Sequence, residues 1–240
     1  MDAVSTAVVS ALTSGAISLS LVLLANRQQR RDGSRAQRET QNMTYLNPLR
    51  WHAAETHHRL SLYAVRVDRH GAYRPAQVIG DPQDLDGKDA AWFAGTGCAL
   101  VSSVWITACL FAQMTRARHD VPFLRLSNKD DTELITSIMK VHVAFAACGV
   151  LYATQSSIGT DALLEPEGRL RSYREFCTVL AEPERRAWAN PLIHFHLAIA
   201  GGDRRTELQR ALEALSALSD FLDGTLAGGA SLRARWDAEL

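Results

Sequence analysis

Eight histidines and four cysteines hold most of the metal-binding and nucleophilic potential of this 240-residue chain, so their spacing comes first. His194 and His196 stand two apart, about 200° around a helix, and His57 and His58 are adjacent. Neither pair converges as i,i+4 ligands would, and no H-E-x-x-H, E-x-x-H or Cys/His cluster accompanies them. These histidines read as surface or capping residues, and no metal site is assigned. His142 differs, because it falls within an apolar helical run with Gln155 further along it. One continuous helix would set the two about 1300° apart, some 140° from eclipsed, and therefore on different faces.

Cys98, Cys109, Cys148 and Cys177 are scattered through apolar runs with no C-x-x-C pair. That is the pattern of buried free thiols in a reducing compartment, and no redox function follows from it. No G-x-S-x-G elbow, phosphate loop or dinucleotide fingerprint occurs, so no catalytic residue and no cofactor is assigned. The polar residues set in apolar or motif-like surroundings are Arg59, His142, Gln155 and Gly159, which are the candidates for ligand or partner contact. Each also has a structural explanation. Arg59 and Gln155 would tie helices together, His142 would be a satisfied core histidine, and Gly159 would permit close packing.

The elements that position these residues begin with the composition. Hydrophobic residues make up 47% and charged residues 22%, with 15 glycines and 7 prolines, which excludes intrinsic disorder and fibrous repeats. The 26 basic and 26 acidic residues cancel, so the whole chain carries no electrostatic case for binding nucleic acid.

From Ala3 to Ala25 no residue is charged. As a helix this stretch would be about 35 Å long, enough to cross a hydrocarbon core of about 30 Å. Arg27, Arg30, Arg31, Arg35 and Arg38 follow at once, against Asp32 alone. The positive-inside rule then puts the N-terminus outside and the main domain in the cytoplasm, at the plasma membrane. A cleaved signal would carry its charge before the apolar run, not after it. Ala7, Ala11 and Gly15 recur every four residues, as do Ser10, Ser14 and Ser18, a spacing that allows a homodimer through the anchor. Residues 27–44 form a basic linker beside anionic head groups, with no aromatic side chain for base stacking.

Beyond the linker the apolar period is helical throughout. Asn47 and Pro48 start a helix running to about Val67, and residues 68–89 read as a long loop. Ala90 to Thr115 is uncharged and long enough for a second span, but Arg116 and Arg118 at its end favour a central buried helix. Ser127 and Asp130 open the next helix, whose apolar side carries Leu134, Ile135, Ile138, Met139, Val143 and Phe145 and which continues through Gly149 to about Leu164. Short helices follow around Tyr173–Leu180, after Pro183 with Trp188, and after Pro191. Gly201-Gly202-Asp203 is a stop and cap before a stripe from Leu208 to Leu222. No alternating β-branched run appears, so the fold class is all-α: an N-terminal transmembrane helix and a compact bundle of about five to seven helices.

Tyr45-Leu-Asn-Pro48-Leu49, Ala53-Ala54, Arg59-Leu60, Ser102-Ser103 through Phe111, Arg118, Phe123-Leu124, a Q-x-x-I-G element at Gln155 and Ile158-Gly159, Trp188 with Pro191-Leu192, and Leu215 to Asp223 together resemble a group of uncharacterised bacterial proteins. That group has an N-terminal anchor, a basic linker and an all-helical cytoplasmic domain. The likeness implies architecture over residues 45–223 and brings no activity with it. It also implies a soluble core helix at 90–115. Ser156, Ser157 and Thr160 stand where the group tends to carry charge.

The resulting expectation is an anchor at 1–26, a linker at 27–44, a helical domain at 45–223 and a tail at 224–240. The partners would be the lipid bilayer and a protein bound by an interaction, sensor or regulatory module. The alternatives are a membrane-associated helical enzyme or toxic effector working around His142 and Gln155, and a multi-span pore.

Overall fold

The computed structural model describes residues 26–29, 33, 39–40, 42–69, 79–124, 128–164, 168–226 and 231–237. Residues 1–25 of the expected anchor and Ser127 lie outside this set. The chain divides into two units, Met1–Asn42 and Met43–Leu240. In the first, the described residues 26–29, 33, 39 and 40 are helical and exposed.

Among its described residues the second unit is helical apart from connecting turns and a two-residue antiparallel ladder between β1 (Leu163–Leu164) and β2 (Arg169–Leu170). A π-helical turn, Asn42–Leu46, leads directly into α1 (Asn47–Arg69). Asn47 is therefore the first residue of α1, entered directly from that turn, and not a cap standing before it. Asp81 then caps the 3-10 turn Pro82–Leu85, with Asp84 closing a reciprocal capping box. The uncharged stretch expected as one element is two, α2 (Ala90–Ala94) and α3 (Cys98–Leu124), separated at Gly95-Thr96-Gly97.

α4 (Asn128–Ala147) and α5 (Tyr152–Asp161) follow. The sequence reads as a single helix here, yet the two segments meet at 105°. After the ladder come α6 (Tyr173–Ala181), α7 (Pro183–Arg186), α8 (Asn190–Gly201), α9 (Arg205–Thr225) and α10 (Leu232–Asp237). The helix expected to contain Trp188 stops at Arg186, and Trp188 lies exposed in the turn beyond it.

α3 is the centre of the arrangement, with α1, α5 and α8 packed against it, and α9 lies against both α1 and α4. Over Cys98–His119 it is, among the described residues, the one continuous helix long and apolar enough to cross a membrane. The bent pair α4–α5 meets that test only if taken as a single span. Most of α3 is enclosed: Val104, Ala108, Leu110, Phe111 and Met114 are all buried, and so are its polar Ser103, Thr107 and Gln113.

An aromatic ladder joins three helices at the core. Phe111 of α3 meets Phe145 of α4 edge-on at 5.1 Å, and Phe145 meets Phe195 of α8 at 5.7 Å. Ion pairs fasten the periphery. Arg50 of α1 pairs with Asp223 of α9, and the buried Arg186 pairs with Asp86 while donating to the Leu180 carbonyl.

Candidate functional site

The break between α4 and α5 brings two of the expected site residues, His142 and Gln155, together. Gly149 has φ +89°, a left-handed conformation in which glycine carries no steric penalty. The Val150 amide donates to the Phe145 carbonyl (3.1 Å) and the Gly149 amide to Ala146 (3.0 Å), the paired bonds of a Schellman stop. Its customary apolar contact is available, since Phe145 and Val150 are both fully buried. The chain then turns into α5, and Gln155 swings back onto α4.

Gln155 makes three of its four possible hydrogen bonds at this corner. Its Oε1 lies 2.6 Å from His142 Nδ1, and its amide nitrogen donates to the carbonyls of His142 (2.9 Å) and Val150 (2.6 Å). Arg204, itself left-handed at φ 54°, reaches over from the α8–α9 junction to the Cys148 carbonyl. Side-chain donors thus satisfy the Cys148 and Val150 carbonyls, which lie past the end of α4 and outside its helical bonding. The expectation that His142 and Gln155 occupy different faces is corrected here, because it assumed a continuous helix.

With Oε1 as an acceptor, His142 must carry its proton on Nδ1, as the neutral tautomer. Burial holds its pKa below the usual histidine range, against the opposing hydrogen bond from Gln155, and the Arg118 charge lowers it further. Tyr152 stands edge-on to the imidazole at 4.9 Å, and the Arg118 guanidinium lies over the Tyr152 ring. Gly159, one turn beyond Gln155, faces α3 so closely that a Cβ would come within 2.8 Å of the Phe111 carbonyl carbon. Gln155, Ile158 and Gly159 form the buried side of α5. The Q-x-x-I-G element is therefore the surface by which α5 seats on the central helix.

Arg59 belongs to a different place, a polar seam between α1, α3 and α8. His196, expected at the surface, is fully buried there. The reason is that α8 is apolar nearly all round, so the face bearing His196 also packs inward. The seam is a chain of hydroxyls. Tyr63 donates to Ser103 Oγ (3.1 Å), Ser103 to the Ala99 carbonyl (2.8 Å), and Thr107 to the Ser103 carbonyl (2.9 Å). Thr107 thereby spends its proton, so the 3.2 Å contact with His196 Nε2 requires that nitrogen to donate. Burial, with a smaller contribution from the Arg59 cation, depresses the His196 pKa to about 3.

Sequence reasoning missed Tyr63, Ser103, Thr107 and His196. The i,i+4 spacing of Ser103 and Thr107 within an apolar helix was the available signal. Of the basic linker, Arg27 is exposed, and Arg30, Arg31, Arg35 and Arg38 lie outside the described residues. No group of three metal-capable side chains occurs among the described residues. Comparison with family models, curated proteins and solved structures finds no match.

Two measurements check this geometry. Gln155→Leu strands the His142 Nδ1 proton and the Val150 carbonyl in the interior, and should lower unfolding free energy by about 2–4 kcal/mol in urea titrations. Stability should also fall with acid. In the unfolded chain both histidines titrate near their ordinary value of 6.5, whereas the folded chain keeps them neutral. Their contribution is complete above about pH 6.5 and declines below it, for His196 until pH about 3. Between pH 6.5 and 5 His196 should steepen the loss by up to about 1.4 kcal/mol per pH unit, and His142 adds to the loss in the same direction. His196→Gln should flatten that slope.

Proposed function

We infer that the chain is a membrane-anchored helical module whose body recruits a partner protein. In this reading Ala3–Ala25 crosses the bilayer, the arginines Arg27, Arg30, Arg31, Arg35 and Arg38 lie at anionic head groups, and the domain from residue 45 faces the cytoplasm. The residue order supports it, with an uncharged stretch followed directly by a basic linker and then a helical body. The burial of Ser103, Thr107 and Gln113 inside the bundle supports α3 as a core helix and the anchor as a single pass.

The observation that carries the recruiting role is an apolar groove of about 680 Å³ between α4 and α9, lined by Met139, Val143, Ala147, Ala214 and Ala217. The sequence places Ile135, Met139 and Val143 with the core residues of α4. In the structure Leu134, Ile138 and Phe145 take the core, while Ile135 and Val143 are 41% and 63% exposed. The apolar arc of α4 is wider than the bundle can cover, and the remainder is a strip without a partner in water.

The alanines leave room for a helix to seat closely, the helix-in-groove mode of recognition. Lys140 and Arg210 outweigh Glu213 at the rim, which fits an amphipathic helix of another protein with acidic flanks. The enzyme reading gains no comparable support, because both amide hydrogens of Gln155 and one of its two acceptor positions are spent in holding the corner.

Val143→Glu combined with Met139→Glu places two anions on the strip without touching the core. Cross-linking and pull-down of the tagged, membrane-inserted protein should then lose the partner captured by the wild type, with helical circular dichroism and melting temperature unchanged. Retention of the same partner by the double variant would remove the groove from the account.

A further inference from the structure

A cavity of about 450 Å³ lies between Lys88, the short helix α2 and the face of α6 that carries Tyr173. Its surface is mostly apolar, and Phe93 and Tyr173 contribute aromatic rings to it. Lys88 and Arg174 are the charged residues of its lining, and no described acidic residue joins them.

The aromatic frame is fixed by its own contacts. The Tyr173 hydroxyl donates to the Phe93 carbonyl at 2.8 Å, and its ring stands edge-on to Trp105 at 6.0 Å. The Trp105 indole N–H donates in turn to the Arg171 carbonyl at 3.0 Å. Phe93 is buried and stands edge-on to Trp92 at 5.2 Å, and the Trp92 amide donates to the Asp89 carboxylate. Side chains held in this way lose little freedom when a flat ring enters beside them.

The cations are not held in the same way. The acids near them in sequence are engaged elsewhere: Asp86 pairs with Arg186, Asp89 accepts the Trp92 amide, and Glu175 holds Arg169 and Ser172. Asp84, whose charge senses Lys88, accepts the amides of Gly80 and Asp81. Lys88 faces the Trp92 ring at 5.6 Å, and among the described residues neither Lys88 nor Arg174 makes an ion pair. Two cations beside a largely apolar, aromatic cavity favour an occupant with a flat ring and one anionic end.

We propose that the cavity binds a small aromatic carboxylate, its ring beside Phe93 and Tyr173 and its carboxylate on Lys88 and Arg174. The guanidinium offers such a group two parallel donors, and Lys88 adds a point charge. The site shares no lining residue with the groove between α4 and α9 and is independent of the recruiting role.

The probe is para-fluorobenzoate, titrated by fluorine NMR into the full-length protein in lipid nanodiscs, with empty nanodiscs as the reference. The expected result is a saturable shift, with the uncharged para-fluorobenzamide binding at least about tenfold more weakly. Lys88→Glu and Arg174→Glu should each weaken the carboxylate by a similar factor at unchanged melting temperature. Val143→Glu combined with Met139→Glu should bind it as the wild type does. If a charge reversal lowers the melting temperature, the comparison of acid and amide on the wild type decides. No saturable shift, equal binding of the amide, undiminished binding by a folded charge-reversal variant, or loss of binding in the groove variant would each overturn the proposal.

Discussion

The reversal at Gly149 is the constraint on which the rest of the fold depends. A helix continued past Cys148 would carry Gln155 and Gly159 away from α3 and leave one side of that helix uncovered. The left-handed glycine stops α4, and Phe145 with Val150 fills the space beneath the turn. The Gln155 amide and the Arg204 guanidinium satisfy the carbonyls at His142, Val150 and Cys148. Once turned, α5 docks by the closest approach its sequence permits, the missing Cβ of Gly159 against the Phe111 and Ala112 backbone. The corner therefore encloses an apolar helix that would otherwise face solvent or lipid.

Two helices of this protein end in the same motif, and only one of the ends was legible. At the close of α8, Gly202 has φ +92° and the Asp203 amide bonds back to Ala198 at 2.9 Å. Gly201-Gly202-Asp203 announces that stop, because a second glycine and an aspartate interrupt the apolar pattern, although the residue preceding α9 is Arg204 and no side chain caps that helix. At Cys148-Gly149-Val150 the flanking residues are apolar, and the hydrophobic period runs on in phase with the helix. A single glycine between buried residues does not distinguish a stop from a tolerated helical position. The position of Gln155 depends on that distinction, so its contact with His142 could not be read from spacing.

The same limit applied to the faces. Helical periodicity correctly picked out Leu134, Ile138 and Phe145, and the stripe from Leu208 to Leu222, as inward residues. It could not apportion the wide apolar arc of α4 between core and surface, because that depends on how far the neighbouring helices extend over it. His196 shows the converse case, a polar residue carried inward by a helix apolar on all sides and kept neutral once there. Cys109, Cys148 and Cys177 are buried free cysteines, as their apolar surroundings predict, whereas Cys98 is partly exposed because the chain breaks at Gly95-Thr96-Gly97 just before it.

The proposed function joins these parts in one claim, that lipid holds the N-terminal stretch alone while protein shields α3. Brief trypsin treatment of inverted membrane vesicles, cutting within the arginine-rich segment Arg27–Arg38, tests both halves at once. The account predicts that peptides spanning Cys98–Leu124 leave the membrane with the helical body and remain in the supernatant without detergent. Retention of Cys98–Leu124 in the washed vesicles after that cut would contradict it.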